Sequence, residues 1–313
     1  MRAFLRAIGD WFFARGDPRV AASLRIAFCG LYLLTLWDFY PYLDLLFGHR
    51  GLFGTMEPFP FELRGFQFFL YRHDSFFELR LWLWGSVAVA SMGLVGAATR
   101  VAVPLTYLSM FLFRERGPFI TFGADLVMNC IGLWMLFLNS GSAWSIDAWW
   151  RRRRGLPARR SVELWPARAI QVQIALIYLV TGLVKLHTQP WQDGSAVYYA
   201  LQVGNVLKGQ SPSWVLGHRL LLVAMNYGTL AIELSVPFML FYRPLRNWAF
   251  LMCAAMHTSI DLLMSIRFFS LAMYVGLLAF LEGGDWDRLG HPRQTLAQWL
   301  GVTLRKRPSA TEV

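Results

Sequence analysis

The sequence predicts an all-α polytopic integral membrane protein, a bundle of about eight transmembrane helices with both termini on the cytoplasmic side. Three observations predict it. The chain is 56% hydrophobic and 16% charged, too apolar for a soluble globule of 313 residues. Several runs approach or exceed the roughly 18 to 20 apolar residues that span a bilayer. The arginines fall mostly in short segments between those runs, where positive charge fixes membrane orientation. The 14 tryptophans and 25 phenylalanines suit interfacial belts and lipid-facing helix surfaces.

Taken in order, residues 1–18 read as an interfacial basic segment, with Phe4, Leu5, Ile8, Trp11 and Phe12 along one face of a helix. Residues 19–283 form the transmembrane domain. The first span covers about 20–46, with Arg25 as an anchor near its cytoplasmic edge and Pro41 kinking it or ending its regular part. Glycines, prolines and mixed charge make 47–75 an ordered surface loop. The next three spans cover about 77–98, 101–113 and 119–139, the last with Asp125 and Asn129 on one face. After the basic run from Arg151 to Arg154, a fifth span covers 167–186 and ends near Lys185. A loop follows to Ser213, with a short amphipathic helix over 196–203. The last three spans cover about 216–242, 248–265 and 268–281, and a turn with Arg243, Pro244 and Arg246 separates the first two. Residues 284–313 are a polar tail, expected to be disordered or superficial.

Loop charge tests this topology. With the N-terminus inside, the four N-terminal arginines, Arg100, the cluster from Arg151 to Arg160, Arg243 with Arg246, and the tail are all cytoplasmic. Arg114, Arg116 and Arg267 stand against it in short outward turns. The N-terminal arginines are not followed by a short apolar core with a small-residue cleavage site, so the first apolar run reads as a retained helix. The net charge of +11 does not point to nucleic acid, because there is no stacking platform or basic recognition helix. Cys29, Cys130 and Cys253 sit inside apolar runs without metal-ligand spacing and read as packing residues, so no metal site is expected.

Lys185 is one of three lysines in the chain, and a lysine in hydrocarbon costs about 2.5 to 3.5 kcal/mol on insertion scales. It needs a partner or a task. The topology places Asp38, Asp125, Lys185, His257 and Asp261, from four helices, in the outer half of the membrane, with His187 and His218 at the mouth and Glu233 deeper. Charged groups in hydrocarbon face the bundle interior and pair with one another, so a wettable chamber opening outward is expected. Each residue also has a plainer reading. Lys185 snorkels to the interface, His257 and Asp261 form a structural hydrogen-bonded pair, and Asp38 and Asp125 make ion pairs that hold helices together. Under the functional reading a lysine partly stripped of water becomes a general base, and a carboxylate beside it opposes that change.

The run Thr181-Gly-Leu-Val-Lys185-Leu-His187, followed by Trp191, Asp193-Gly194 and Tyr198-Tyr199, resembles the HTTM family, the membrane domain shared by vitamin K-dependent γ-carboxylases and many bacterial proteins. Similar stretches are Pro41-Tyr42-Leu43 with Leu46-Phe47-Gly48-His49-Arg50-Gly51, Trp144-Ser-Ile-Asp147, and Met256-His257 with Phe269-Ser270-Leu271-Ala272-Met273. In the carboxylases the matching run carries a lysine pair, whose second member falls on Lys185 and whose first is Val184 here. The resemblance implies a multi-pass protein of the cell (inner) membrane that acts on a quinone or other lipophilic substrate. Lys185 would be the catalytic base, deprotonating a reduced, vitamin K hydroquinone-like quinone, and His257 a proton partner. Asp38, Asp125, His187, His218 and Asp261 would line the substrate chamber. The alternative within the same family is an accessory membrane protein for maturation or export of a secreted peptide, similar to the sporulation-delaying protein B relatives. The expected partners are therefore the lipid bilayer and a secreted peptide or protein substrate.

Overall fold

The computed structural model describes residues 1–48, 51–52, 75–116, 122–203 and 213–290. The expected 47–75 loop lies almost wholly outside the described residues, as does the tail beyond 290. Among the described residues the secondary structure is helical, apart from one antiparallel pair of two-residue strands, Arg15–Gly16 against Val162–Glu163. That pair was not expected. It forms where the chain leaves the N-terminal segment and clips it to the loop before the fifth predicted span.

Helix α1 spans Arg2–Phe12 and α2 spans Pro18–Phe39. Proline in the first turn of α2 forfeits an N–H that has no helical partner, and Asp17 caps the helix by accepting from the Arg19 N–H at 2.8 Å. Pro41 ends the regular part, as expected, in a 3-10 turn over Tyr40–Tyr42 that leads into α3, Leu43–Phe47. Next come α4, Phe76–Val95, α5, Thr99–Arg116, and α6, Gly123–Met135. A short amphipathic helix follows, α7, Ile146–Arg153, and then α8, Trp165–Leu186. The loop after α8 holds α9, Gln189–Gln192, and α10, Ala196–Ala200. The chain continues through α11, Ser213–Leu216, α12, Arg219–Phe241, and α13, Arg243–Leu263. It ends in α14, Phe269–Leu277, with a 3-10 turn over Leu278–Phe280, and α15, Gly283–Gly290. Among the described residues, three segments, Pro18–Phe47, Trp165–Leu186 and Arg219–Phe241, are long and apolar enough to cross a membrane.

Other elements differ from expectation as well: Arg114 and Arg116, expected in an outward turn, lie in the last turn of α5, because the helix runs on to Arg116. Arg243, Pro244 and Arg246 are not a turn but the start of α13. Proline is tolerated in a first helical turn, so a single extended residue, Tyr242, suffices to join α12 to α13. The polar stretch after Gly283 is the helix α15, tied down by Arg19, which reaches Asp17 at 2.6 Å and Asp287 at 2.7 Å.

Arg25 is an anchor, but for the bundle rather than for lipid. It is fully buried, and its guanidinium donates to four carbonyls: Ser140 at 3.2 Å, Gly93 at 2.6 Å, and Leu94 and Trp144 at 2.7 Å. Two of these are last-turn carbonyls of α4, at the negative end of the helix dipole; that of Gly93 also accepts from the Gly96 N–H at 3.1 Å. Gly96 takes a left-handed φ of 74° just beyond; a Cβ there would lie 2.7 Å from Arg25 Nη1 and 2.3 Å from Ser145 Cβ. Asp147 completes the joint. Its carboxylate accepts from the Ala98 and Thr99 N–H groups at 2.8 Å each and from the Thr99 hydroxyl at 2.7 Å, capping α5. The Trp144-Ser-Ile-Asp147 stretch is thus a structural staple across α2, α4 and α5.

Polar contacts gather at two ends of the bundle. At one end, Arg243 and Arg246 both hold Glu282, the latter at 2.9 Å. Burial pushes the Glu282 carboxyl up, but the Arg246 and Arg243 guanidiniums outweigh it and hold it below the usual carboxylate range. It therefore stays ionised at neutral pH and the clamp persists. At the other end, Arg267 pairs with Asp38 at 2.5 Å and lies 4.2 Å over the Phe39 ring, while Arg116 donates to the Phe47 carbonyl at 2.7 Å.

Candidate functional site

Lys185 sits in the last turn of α8 and makes a close ion pair with Glu233 of α12. The ammonium also lies 4.8 Å above the Trp191 ring, which follows in α9. The close approach of the two helices depends on Gly182, one turn before the lysine. A Cβ there would come within 3.0 Å of Leu234 Cδ2 and 3.1 Å of Glu233 Cβ. Two turns before Glu233, on the same face of α12, Asn226 is fully buried and donates to the Trp191 carbonyl at 3.0 Å. The residues that hold the aromatic ring over the amine and those that hold the carboxylate beside it therefore share one helix face.

Two turns before Lys185, on the same face of α8, the buried Tyr178 hydroxyl hydrogen-bonds His257 Nε2 of α13 at 2.7 Å. The Phe269 and Tyr274 rings pack against the imidazole, each with its centroid 5.7 Å away. Ser270 of α14 donates to Asp261 Oδ1 at 2.7 Å and lies 3.2 Å from the His257 carbonyl, so His257 and Asp261 are joined through this serine. Lys185 is within electrostatic range of His257, as Glu233 is of Tyr178. Among the described residues, three buried polar atoms of this region lack a hydrogen-bond partner: Glu233 Oε2, His257 Nδ1 and Asn226 Oδ1. Each such buried atom costs on the order of 1–3 kcal/mol if left unmade.

The other candidate residues lie apart from this line. Asp38 is half-exposed and bound to Arg267. One Asp125 carboxylate oxygen accepts from the Phe122 N–H at 2.8 Å, at the start of its own helix. Asp125 and Arg267 line the same small cavity with Tyr32 and Met128. Arg267, counted from sequence as a stray charge in an outward turn, is thus the cation that pairs with Asp38 and shares a cavity with Asp125. His187 and His218 are exposed, and each hydrogen-bonds through Nδ1 to the carbonyl four residues back, Leu183 at 2.8 Å and Trp214 at 2.5 Å. The structure brings Lys185, Glu233, Tyr178 and His257 into one neighbourhood. It leaves Asp38 and Asp125 in a second cluster and the two histidines on the surface. Tyr178 was missed, although its spacing of seven from Lys185 marks it as a same-face neighbour two turns away.

The HTTM domain matches residues 17–286. This chain belongs to the HTTM family. Its likeness to the membrane domain of vitamin K-dependent γ-carboxylases is consistent with that membership, and the matched residues include the Lys185–Glu233 and Tyr178–His257 pairs. A curated relative with an HTTM-length match is the uncharacterized protein YitO of Bacillus subtilis (strain 168), 23% identical over 260 residues, covering 78% of this chain and 81% of that protein. No solved structure matches the chain.

Proposed function

We propose that this HTTM protein is a membrane-embedded enzyme, similar in chemistry to the vitamin K-dependent γ-carboxylases, that removes a proton from a quinone or other lipophilic substrate at Lys185. The carrying observation is that, among the described residues, Glu233 Oε2 and His257 Nδ1 are buried without a hydrogen-bond partner, one on the carboxylate paired with Lys185 and the other on the imidazole bonded to Tyr178. Intramembrane ionisable groups of this kind mark a site for chemistry or transport. The residues fit a reduced quinone, which when bound supplies an acidic hydroxyl: Glu233 Oε2 accepts, His257 Nδ1 donates or accepts according to its tautomer, and Trp191, Phe269 and Tyr274 offer aromatic faces. The Lys185–Glu233 pair carries the same number of protons whether it is ammonium with carboxylate or amine with carboxylic acid. It therefore takes up one more proton, as ammonium with carboxylic acid, while the substrate hydroxyl becomes an oxyanion. A Lys185→Met variant that still folds is expected to lose at least about 100-fold in quinone turnover measured in membranes, the scale of a general base. Unchanged turnover would leave the accessory role in peptide maturation or export as the reading.

The same reading places eight spans, α2, α4, α5, α6, α8, α12, α13 and α14, in the cell (inner) membrane, with the N-terminal segment and α15 on the cytoplasmic side. It is supported by the way Asp17, Arg19, Val162, Glu163, Arg243, Glu282 and Asp287 meet at one end of the bundle. A membrane-impermeant maleimide should label a His218→Cys variant in intact cells and an Arg152→Cys variant only after lysis, in a background with Cys130→Ala. The reverse pattern inverts the protein.

A further inference from the structure

At the end of the bundle where Glu282 is clamped there is a cavity of about 220 Å³ between the Arg15–Gly16 strand, α2, α8 and the segment after α14. Its walls are apolar at Val20, Leu164, Ala167 and Leu281, and its polar lining is Asp17, Arg168, Gln171, Arg243 and Glu282. Both carboxylates are already engaged, Asp17 by Arg19 and Glu282 by Arg243 and Arg246. Arg168 is different. Among the described residues it has no carboxylate partner; Nη1 donates to Gln171 Oε1 at 3.1 Å, the guanidinium lies 5.1 Å over the Trp11 ring, and Nε is buried with no hydrogen-bond partner. Gln171 is itself buried and fixed by its donation to the Ala279 carbonyl at 2.6 Å, so it orients the guanidinium rather than following it.

A half-buried guanidinium with no ion-pair partner among the described residues, whose neighbouring carboxylate Glu282 is already held by two other arginines, calls for an anion, and its fork geometry suits phosphate or carboxylate oxygens. The volume lies below the roughly 300–1,000 Å³ of pockets for drug-sized ligands, which fits a headgroup fragment rather than a whole cofactor. The level is also right. Trp11, Phe12, Trp165 and Phe241 form an aromatic group beside the cavity, with Trp11 and Phe241 centroids 5.8 Å apart and Phe12 and Trp165 6.5 Å apart. Such aromatics sit at headgroup depth.

We propose that this cavity binds the phosphate of a glycerophosphate group, with Arg168 as the cation that holds it and Val20, Ala167 and Leu281 against the glycerol. The source is either an anionic phospholipid or a soluble phosphate ester, and the test separates them. The full chain is placed in phosphatidylcholine nanodiscs and its thermal unfolding is followed with phosphatidylglycerol mixed into the bilayer, or with glycerol 3-phosphate in the buffer. The parent protein should gain about 3 °C or more with phosphatidylglycerol. Arg168→Gln and the cavity-filling Leu281→Trp should each lose most of that gain, while Arg152→Gln, at an exposed residue of α7 outside the cavity lining, keeps it. If Arg168→Gln does not fold, Leu281→Trp carries the comparison alone. A gain with glycerol 3-phosphate of the same size supports the site and assigns it to a soluble ligand. No gain with either ligand, or an equal gain in every variant, overturns the proposal, the latter because it reports general attraction between a basic protein and an anionic surface.

Discussion

An Arg25→Met variant is expected to lose more than about 4 kcal/mol of stability and to fail to accumulate in membranes. Hydrogen bonds from a charged donor each contribute about 1.5–3 kcal/mol, and a buried acceptor left unmade costs about 1–3 kcal/mol. Here one guanidinium reaches four backbone carbonyls, those of Gly93, Leu94, Ser140 and Trp144, and only that of Gly93 also accepts from a backbone N–H, Gly96 at 3.1 Å. Trp144 is held at a φ of 44°, which a bulky L-residue rarely adopts, and its carbonyl is among the four. Lysine keeps the charge but presents three donors from one point instead of a planar fork, so Arg25→Lys should recover only a small part of the loss. Thermal unfolding in mild detergent gives the comparison, with Arg152→Lys as an exposed control expected to change stability by less than about 1 kcal/mol. An Arg25→Lys protein that melts with the parent would show that the bridge is not what joins α2 to α4 and the loop before α7.

The apolar helices were legible in the sequence, and the neighbours of their polar residues were not. Apolar runs marked α2, α8 and α12 because hydropathy depends on composition alone. The charge run from Arg151 to Arg154 concealed α7, whose start is fixed by Ser145 accepting from the Ala148 N–H at 2.9 Å and whose first turn carries Asp147. Depth arguments set Asp38 and Asp125 level with Lys185, but position along a helix does not say which helices touch. Those two acids belong with Arg267 and Glu233 belongs with the lysine. The sequence reading left Glu233 deeper, and the helices reconcile this. Side chains tilt toward the N-terminus of their own helix, and α8 and α12 run antiparallel. Lys185 therefore reaches back along α8 while Glu233 reaches the opposite way along α12, so residues whose Cα atoms differ in depth bring their charges together. His257 was legible from the motif that carries it. Tyr178, its partner, lay in an apolar run where a tyrosine reads as packing.

The Lys185–Glu233 pair should show strong energetic coupling. Removing one partner of a buried ion pair costs about 3–5 kcal/mol because the other charge is left without compensation, whereas replacing both with apolar groups is often neutral. Side-chain exposure is 26% for Lys185 and 8% for Glu233. Lys185→Met strands the buried carboxylate, and Glu233→Leu strands an ammonium that still has the Trp191 ring and some solvent, so the first should cost more than the second. The Lys185→Met/Glu233→Leu double variant should recover most of the stability, giving a coupling of at least about 1 kcal/mol in a double-mutant cycle. Substrate turnover should remain absent in the double variant, since neither the amine nor the carboxylate is left to take the proton. The two readouts thereby separate architecture from chemistry. Single effects that simply add would mean that the pair is solvated and contributes little, and the proton-transfer role would lose its buried partner. A stable double variant that retains turnover would keep the fold as described and remove the chemistry from Lys185 altogether.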